Sequence, residues 1–363
     1  MTPDLSHSAH DDATMLKATV TGPRTAVVER TVRPRAVDNW VVVKVHVAPM
    51  CTEYKTFVSG GPAAFLGHEA AGEVVEVARS SRVKVGDRVV VMPQYPCGVC
   101  DLCAAGDYIH CEHNVDFTAF SGQTEGRATM AQYLLKPDWL LIPIPEGMSY
   151  AHASLACCGL GATFGAVERV RPTPYDTVLI TGLGPVGLGG VINCRYRGAR
   201  VIGVESNPWR AQRALALGAT AVLDPGDADV RAQILALTAG RGVDYAIDCS
   251  GVPAAHRLCI DVTRRRGTVV FVGECSDETP LRISPDMLRK GLTLTGSWHY
   301  NLLAAPRLMA QIAALGPHLD QLISHRFPLT QVQQAWETQV TGACAKVLLL
   351  PWADVDAQEA DHV

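Results

Sequence analysis

The first part of the chain is a series of short, valine-rich segments separated by glycine and proline. Such runs, rich in β-branched side chains and bounded by turn-forming residues, are typical of strands. Between Leu16 and about Leu141 the pattern therefore predicts an all-β region with little helix. Its clearest strands are expected at residues 40–47, 72–77, 88–92 and 131–135.

The hydrophobic pattern changes near His152. A helix-like stretch to Arg169 is followed by alternating strand-like and helix-like segments, which are typical of a doubly wound parallel sheet. These segments are expected at residues 177–181, 185–197, 200–204, 208–217, 244–248, 267–272 and 292–296. After Tyr300 a helix-like run and a closing strand, 346–350, are too short for a third domain and are expected to return to the first one.

Length and charge fit a two-domain protein that acts on small molecules. The chain has 363 residues and a formal net charge of −4, so it carries no field that would attract nucleic acid or anionic lipid. Residues 1–14 are polar and lack the apolar core of a secretory signal, and we expect a disordered tail there. The glycine-rich stretch 178–194 fits a phosphate-binding turn better than a membrane span. A cytoplasmic protein is expected.

Four cysteines form a compact cluster in the first domain. They follow the spacing C-x2-C-x2-C-x7-C in a loop that also contains Gly98 and Gly106. One such loop can offer four thiolates to Zn²⁺ in a tetrahedron, which leaves no open position for chemistry. Incidental buried thiols and an iron–sulfur cluster are the alternatives. The sequence predicts a structural zinc site at Cys97, Cys100, Cys103 and Cys111.

A glycine-rich turn follows the strand-like segment 177–181 and precedes a helix-like run, as a dinucleotide-binding fingerprint requires. The first glycine permits the turn, the second admits the pyrophosphate, and the third lets the helix pack on the strand. The phosphates would lie at the N-terminus of the helix. The residues of this predicted turn are Gly182, Gly184, Pro185, Val186 and Gly187.

An acidic residue, Glu205, follows the next strand-like segment, where its carboxylate can hold the ribose hydroxyls of NAD. The nearby Arg210 could offset the repulsion of a 2′-phosphate, so NADP stays an alternative. Ser250 and Gly273 end later strands on the edge where cofactors bind, although ordinary turn chemistry also explains them.

Candidate ligands for a second metal ion lie outside the quartet: Cys51, His68 and the adjacent pair Cys157 and Cys158. A catalytic zinc ion needs three protein ligands and one open position. Each candidate taken alone is equally compatible with a core or surface role.

Two further elements carry a resemblance to a known family. Gly67-His68-Glu69 with Gly72 resembles a GHE-x-x-G element, and residues 86–89 match a GDRV turn. With the quartet in its expected place, nearly the whole chain resembles the zinc-dependent alcohol dehydrogenases of the medium-chain family.

The resemblance implies an α/β fold with a β-rich GroES-like catalytic domain, residues 15–157 and 300–363, and a Rossmann domain, residues 158–299. It implies one catalytic zinc ion besides the structural one, NAD as cofactor, and a dimer or tetramer. Cys51, His68 and Cys158 would bind the catalytic zinc ion, with Glu69 behind the metal as an outer or alternate ligand. Cys157 is the alternative to Cys158, because neighbouring side chains on a helix point in different directions.

The chain departs from the family at the proton relay. Many relatives carry Ser or Thr two residues after the first ligand and His three residues later, where this chain has Glu53 and Thr56. Our hypothesis is that Glu53 takes the proton directly. The alternatives are that Thr52 supplies the hydroxyl, or that Glu53 is a solvated loop residue.

The resemblance also places Glu274, Trp298 and His299 near the substrate. With Glu53 they indicate a pocket for a polyol, sugar or aminocyclitol, although Trp298 could equally be a packing residue. The expected function is hydride transfer between NAD(H) and a small secondary alcohol or ketone. A redox-neutral enzyme with tightly bound NAD and a non-catalytic binding protein are the alternatives.

Overall fold

The computed structural model describes residues 13–61, 63 and 65–354. The tail expected at 1–14 lies outside these residues except for Ala13 and Thr14, and Thr14 begins the first strand. The strands of the N-terminal part are β1 (Thr14–Gly22), β2 (Thr25–Val32), β3 (Trp40–Pro49), β4 (Ala70–Glu76), β5 (Arg88–Val91), β6 (Tyr133–Pro137) and β7 (Leu141–Pro143). Its helices are short: α1 (Tyr54–Ser59), α2 (Asp101–Ala104), α3 (Phe117–Ser121) and α4 (Tyr150–Ser154).

The second part alternates strands and helices, as the sequence predicted. Its strands are β8 (Thr177–Thr181), β9 (Arg200–Val204), β10 (Ala221–Leu223), β11 (Val243–Asp248), β12 (Thr263–Phe271) and β13 (Thr293–Gly296). Its helices are α5 (Gly161–Val170), α6 (Pro185–Tyr196), α7 (Pro208–Ala216), α8 (Val230–Leu237) and α9 (Pro253–Val262). The C-terminal part contains α10 (Ala305–Leu315), β14 (Ile323–Pro328), α11 (Val332–Val340) and β15 (Lys346–Leu350).

Short segments of other helical types connect these elements. One π-helical turn spans Ile283–Leu288. The 3-10 segments are Tyr108–His110, Asp138–Leu140, Leu302–Ala304, Gly316–Gln321 and Leu329–Gln331. Among the described residues, no helix combines the length and the apolar character that crossing a membrane requires.

The strands form two large sheets. One has the order β14-β15-β3-β4-β5-β7, with β6 also paired to β3. Strand β3 is mostly buried because it has neighbours on both sides, which explains its run of valines. The other sheet has the order β10-β9-β8-β11-β12-β13, and all its pairs are parallel. The strand order reverses between β8 and β11, which is where such sheets bind ligands.

The end of the chain returns to the first sheet. Strand β15 runs parallel to β14 and antiparallel to β3, with Leu348 opposite Pro49. This pairing brings Lys346 close to the segments that flank β3. The fold is therefore the predicted combination of a β-rich part and a Rossmann-like part, while the boundaries at 157/158 and 299/300 stay predictions.

The helix expected over 152–169 is interrupted. Helix α4 ends at Ser154 and α5 begins at Gly161, with a turn of six residues between them. A Cβ atom on Gly161 would lie 2.4 Å from the carbonyl oxygen of Ala156, so the turn depends on glycine there. The periodic pattern hid this turn because its residues are almost all apolar and buried. The turn contains Cys157 and Cys158.

Candidate active site and metal centres

Four potential metal ligands from distant parts of the sequence meet in one cluster. Cys51 follows β3, His68 and Glu69 precede β4, and Cys158 lies in the turn between α4 and α5. One ligand atom from each residue lies within 4.8 Å of the other three. We call these four residues the interdomain cluster, because the turn that contributes Cys158 joins the two parts of the chain.

The donor set and the spacing of the interdomain cluster fit zinc. Nε2 of His68 lies 3.3 Å from Sγ of Cys158. Zn–N and Zn–S bonds of about 2.0 and 2.3 Å in a tetrahedron place neighbouring ligand atoms about 3.5 Å apart. Two thiolates and one imidazole would leave a fourth position for a substrate oxygen.

Charge in the interdomain cluster favours a thiolate at Cys51. A hydrogen bond from Cys158 lowers the pKa of Cys51 well below its ordinary value, and the charges of Lys346 and His68 act in the same direction. Burial alone lowers the pKa of His68, but its hydrogen bonds to Cys51 and Glu53 outweigh burial and raise that pKa. A thiolate is the form of cysteine that binds a metal ion.

Glu69 is fully buried behind the other ligands. Its Oε1 accepts a hydrogen bond of 2.6 Å from Nζ of Lys346, and its Oε2 accepts one of 3.0 Å from the backbone N–H of Cys158. Oε1 also lies 3.8 Å from Nε2 of His68. Burial raises the pKa of Glu69 to about 7, although the charge of Lys346 opposes this. These contacts fit the outer position predicted for Glu69.

Lys346 was missed by the sequence reasoning. Both Lys346 and Glu69 are completely buried, so their ion pair compensates two charges that would otherwise be costly inside the protein. One feature of the sequence indicated its role: Lys346 is a charged residue at the start of β15, whose other residues are apolar. Its partner could not be found from the sequence, because Glu69 lies 277 residues away.

Glu53 contacts the cluster through His68. Nδ1 of His68 lies 2.5 Å from Oε1 of Glu53, and because a carboxylate only accepts, the imidazole donates. This bond orients Nε2 of His68 towards Cys158. Oε2 of Glu53 is buried and has no hydrogen-bond partner among the described residues. Glu53 is thus no solvated loop residue, whereas Thr52 is exposed.

The two candidate thiols in the turn face different surroundings. Sγ of Cys157 donates a hydrogen bond of 3.4 Å to the carbonyl oxygen of Val91 on β5, while Cys158 faces His68. The structure therefore places Cys158, and not Cys157, in the interdomain cluster.

The four cysteines of the loop also converge. Their sulfur atoms lie within 4.8 Å of one another, and Sγ of Cys111 lies 3.6 Å from Sγ of Cys97 and 3.9 Å from Sγ of Cys100. None of the four is in a disulfide. The backbone N–H groups of Cys97 and Cys100 point at cysteine sulfurs. Backbone hydrogen bonds lower the pKa of Cys97 to about 7, which favours a thiolate. We call these four residues the loop cluster.

The glycine turn has the close contacts that its sequence predicted. Gly182 has φ +75°, and a Cβ atom there would lie 2.7 Å from Cα of Ser250. A Cβ atom on Gly187 would lie 2.0 Å from the carbonyl oxygen of Gly182. At Gly184, which precedes Pro185 and Val186 in α6, the nearest atom would be Nη1 of Arg210 at 3.8 Å. Space for a phosphate therefore exists at the N-terminus of α6.

The other predicted cofactor residues surround this turn. Both oxygens of Glu205 accept backbone hydrogen bonds, from Leu183 at 2.6 Å and Asn207 at 2.9 Å. Nε of Arg210 is buried and unpaired within the described part of the chain. Ser250 donates to the buried Asp248 at 2.6 Å, and Gly273 packs against Gly251. Ser250 therefore follows β11, which borders the switch point, and Gly273 follows the neighbouring strand β12.

The predicted substrate residues are in different surroundings. His299 is buried, and burial lowers its pKa to about 3, with a smaller effect from the charge of His68. Its Nδ1 lies 3.3 Å from the hydroxyl of Tyr108, and its Nε2 is buried without a partner in the described segments. Trp298 is 47% exposed and packs against His110. Glu274 is exposed, and its backbone carbonyl packs against Gly251.

The fold and the interdomain cluster define a two-domain metal-dependent oxidoreductase with a dinucleotide site. Family models agree: residues 37–146 match the alcohol dehydrogenase GroES-like domain and residues 185–314 match the zinc-binding dehydrogenase domain. The chain belongs to the zinc-dependent alcohol dehydrogenases of the medium-chain superfamily, and it is an oxidoreductase that acts on CH–OH groups.

Relatives and solved structures support this membership. The chain is 33% identical over 288 residues to the zinc-type alcohol dehydrogenase-like protein YphC of Escherichia coli, covering 78% of this chain and 80% of that protein. It is 32% identical over 292 residues to sorbitol dehydrogenase of Bacillus subtilis, covering 79% and 80%. The crystal structure of 2R,3R-butanediol dehydrogenase from Bacillus subtilis superimposes with a TM-score of 0.80 at 26% identity, covering 93% of this chain and 99% of that one.

Proposed function

We propose that this protein is an NAD-linked dehydrogenase that transfers a hydride between a small secondary alcohol and the nicotinamide, with a polyol, sugar or aminocyclitol as substrate. A catalytic zinc ion would be held by Cys51, His68 and Cys158, and a structural one by the loop cluster. When bound, zinc supplies a Lewis acid to the substrate oxygen, and NAD supplies the hydride acceptor.

One observation carries the substrate class. Two buried polar atoms beside the interdomain cluster, Oε2 of Glu53 and Nε2 of His299, have no partner within residues 13–61, 63 and 65–354. Buried polar groups without partners are costly, so these atoms favour a ligand that can hydrogen-bond to both. A substrate with several hydroxyl groups meets this demand, and a simple apolar alcohol does not. The sorbitol and butanediol dehydrogenases among the relatives act on such compounds.

Glu53 has two roles in the proposed reaction. Its Oε1 accepts the hydrogen bond from His68 and so keeps Nε2 of that imidazole free for the metal. Its Oε2 accepts the proton of the reacting hydroxyl group during oxidation and returns it during reduction. His299 stays neutral and hydrogen-bonds a neighbouring hydroxyl, because burial strongly disfavours its charged form.

Glu205 supports a preference for NAD. Its carboxylate lies beside the glycine turn, where the 2′-phosphate of NADP would meet a like charge. The unpaired Nε of Arg210 supports residual activity with NADP. Changing Glu205 to Gln should reduce the preference for NAD, measured as the ratio of kcat/KM with the two cofactors.

A metal count combined with a substrate screen tests the proposal. We expect two zinc ions per chain by mass spectrometry, and net formation of NADH with at least one compound from a panel of polyols and cyclitols. One zinc ion per chain, or tight binding of NAD without net NADH from any compound, would contradict the proposal. We also propose a homodimer or tetramer in the cytoplasm, and light scattering of the purified protein checks the assembly.

A further inference from the structure

A second group of polar residues lies beside His68 and has no part in the proposed reaction. It lines a cavity of about 60 Å³, of which His68 forms one wall. A single water molecule needs about 10–15 Å³ measured in this way, so the cavity is large enough for a small polar group. Its other principal lining residues are Phe65, Tyr95, Arg127, Thr129 and Lys136.

Two cations line this cavity, and the described residues provide no counterion for them. Lys136 is buried, and Arg127 is exposed at the mouth. The guanidinium of Arg127 lies 3.9 Å from the ring centre of Phe65, and Nζ of Lys136 lies 4.0 Å from that of Tyr95. No carboxylate of the described chain forms an ion pair with either residue. Within the part of the chain that the structure describes, the one acceptor for Nζ of Lys136 is the carbonyl oxygen of Gln94 at 2.5 Å, although an ammonium has three N–H donors.

The lowered pKa of Lys136 indicates that the cavity lacks an anion. Burial lowers the pKa of Lys136 to about 7, and the charge of Arg127 acts in the same direction. Two like charges close together in a cavity are unfavourable unless an anion joins them. An anionic group in the cavity would remove the repulsion and accept hydrogen bonds from both side chains.

Thr129 provides a third, independent observation. The residue is 5% exposed, and its hydroxyl is buried without a hydrogen-bond partner in the part of the chain that the structure describes. The hydroxyl also packs against Gly67, where a Cβ atom would lie 2.3 Å from it, so it lies next to the backbone that precedes His68. A buried donor with no partner is costly, and a bound anion would satisfy it.

We infer that this cavity binds the anionic group, a carboxylate or a phosphate, of a polyol substrate, with Arg127, Lys136 and Thr129 as its donors. The inference rests on the proposed function, because it is the position of His68 that connects the cavity to the reacting hydroxyl group. The preferred substrate is thus a sugar acid or a sugar phosphate rather than a neutral polyol.

Matched substrates test this inference. Sorbitol, gluconate and sorbitol 6-phosphate share a polyol chain and differ in one terminal group. We expect kcat/KM to be at least about tenfold higher for one of the two anionic compounds than for sorbitol, as one charge-assisted hydrogen bond would give. A preference for gluconate would show that the cavity binds a carboxylate, and a preference for sorbitol 6-phosphate would show that it binds a phosphate. Arg127→Gln should abolish the preference, measured as the ratio of kcat/KM for the anionic compound to that for sorbitol, whereas the exposed control Arg169→Gln should leave this ratio unchanged.

A binding measurement avoids any dependence on activity. Inorganic phosphate is titrated by calorimetry into enzyme saturated with the dinucleotide, so that the pyrophosphate site is occupied. We expect Arg127→Gln and Thr129→Val to raise the Kd by about tenfold or more. Thr129→Val should keep or raise the Tm, because it removes an unsatisfied hydroxyl at nearly constant shape, so weaker binding cannot be ascribed to misfolding.

The outcomes separate the two proposals. If sorbitol is oxidised as well as both anionic compounds and phosphate binding is unaffected in Arg127→Gln, the anion site is wrong and the dehydrogenase proposal stands. If phosphate binding depends on Arg127 but no compound yields NADH, the dehydrogenase proposal is wrong, and with it the assignment of the cavity to a substrate.

Discussion

The loop cluster and the interdomain cluster use the same chemistry but are built in different ways. All four ligands of the loop cluster come from residues 97–111, and backbone N–H groups of the same loop point at the sulfurs. The interdomain cluster collects its ligands from residues 51, 68–69 and 158, which lie in three separate segments. Local spacing therefore determines one cluster, and the packing of the whole protein determines the other.

The surroundings of the two clusters differ as much as their connectivity. The loop cluster offers four thiols as its ligands, as expected of a closed structural site. The interdomain cluster has Glu53 on one side of His68 and the buried pair Glu69 and Lys346 behind it. A cluster of this kind combines ligands with groups that can move a proton. The comparison indicates that loss of the loop cluster should affect stability, and that loss of the interdomain cluster should affect turnover.

The largest effect is expected for Cys51→Ser. Removing one ligand of the interdomain cluster should lower kcat/KM by about 10⁴-fold, because several kcal/mol of Lewis-acid stabilisation would be lost. The zinc content should fall from two ions to one with little change in Tm. Mass spectrometry of the metal and NADH formation measure both quantities. Cys275→Ser, outside both clusters, is the control, and an active Cys51→Ser protein would show that the interdomain cluster is not catalytic.

Lys346→Met should give the largest loss of stability. It leaves Glu69 as an uncompensated buried carboxylate, which costs about 3–5 kcal/mol. Denaturant unfolding measures the loss. The double variant Glu69→Gln with Lys346→Met should recover most of it, because a neutral pair needs no compensation. Equal stability of the single and double variants would show that the pair is unimportant for folding.

Glu53→Gln should lower kcat by about 10²-fold or more, because the amide cannot accept a proton. Loss of the charge that orients His68 should also weaken zinc binding by about 10–100-fold. Turnover is therefore measured at saturating zinc, where only the loss of the proton acceptor remains. The neighbouring exposed Lys55→Gln is the control. Full turnover of Glu53→Gln at saturating zinc would restrict Glu53 to positioning His68.

Cys100→Ser should have the smallest effect of the four variants on turnover and a clear effect on stability. We expect a loss of at least about 2 kcal/mol, or a Tm lowered by roughly 4 °C or more, with one zinc ion lost. The remaining folded enzyme should keep its kcat. Val99→Ala, exposed on the same loop, is the control. A Cys100→Ser enzyme of normal stability but low turnover would reverse the roles of the two clusters.

Much of the fold followed from local patterns. The strands Thr177–Thr181, Arg200–Val204 and Lys346–Leu350 have the bounds that the hydrophobic pattern predicted. The glycine turn follows from backbone sterics, since only glycine tolerates the contacts at Gly182 and Gly187. The interruption between α4 and α5 escaped prediction because its residues are as apolar as those of a helix.

The amino-acid sequence by itself determined the loop cluster, the nucleotide turn and the positions of the clearest strands along the chain, because each depends on neighbours within a few residues. Only the tertiary structure decided that Cys158 rather than Cys157 faces His68, that Glu53 holds the imidazole, and that Lys346 compensates Glu69. These outcomes depend on the directions in which side chains from distant segments point after the sheets have formed. No spacing along the chain specifies such directions.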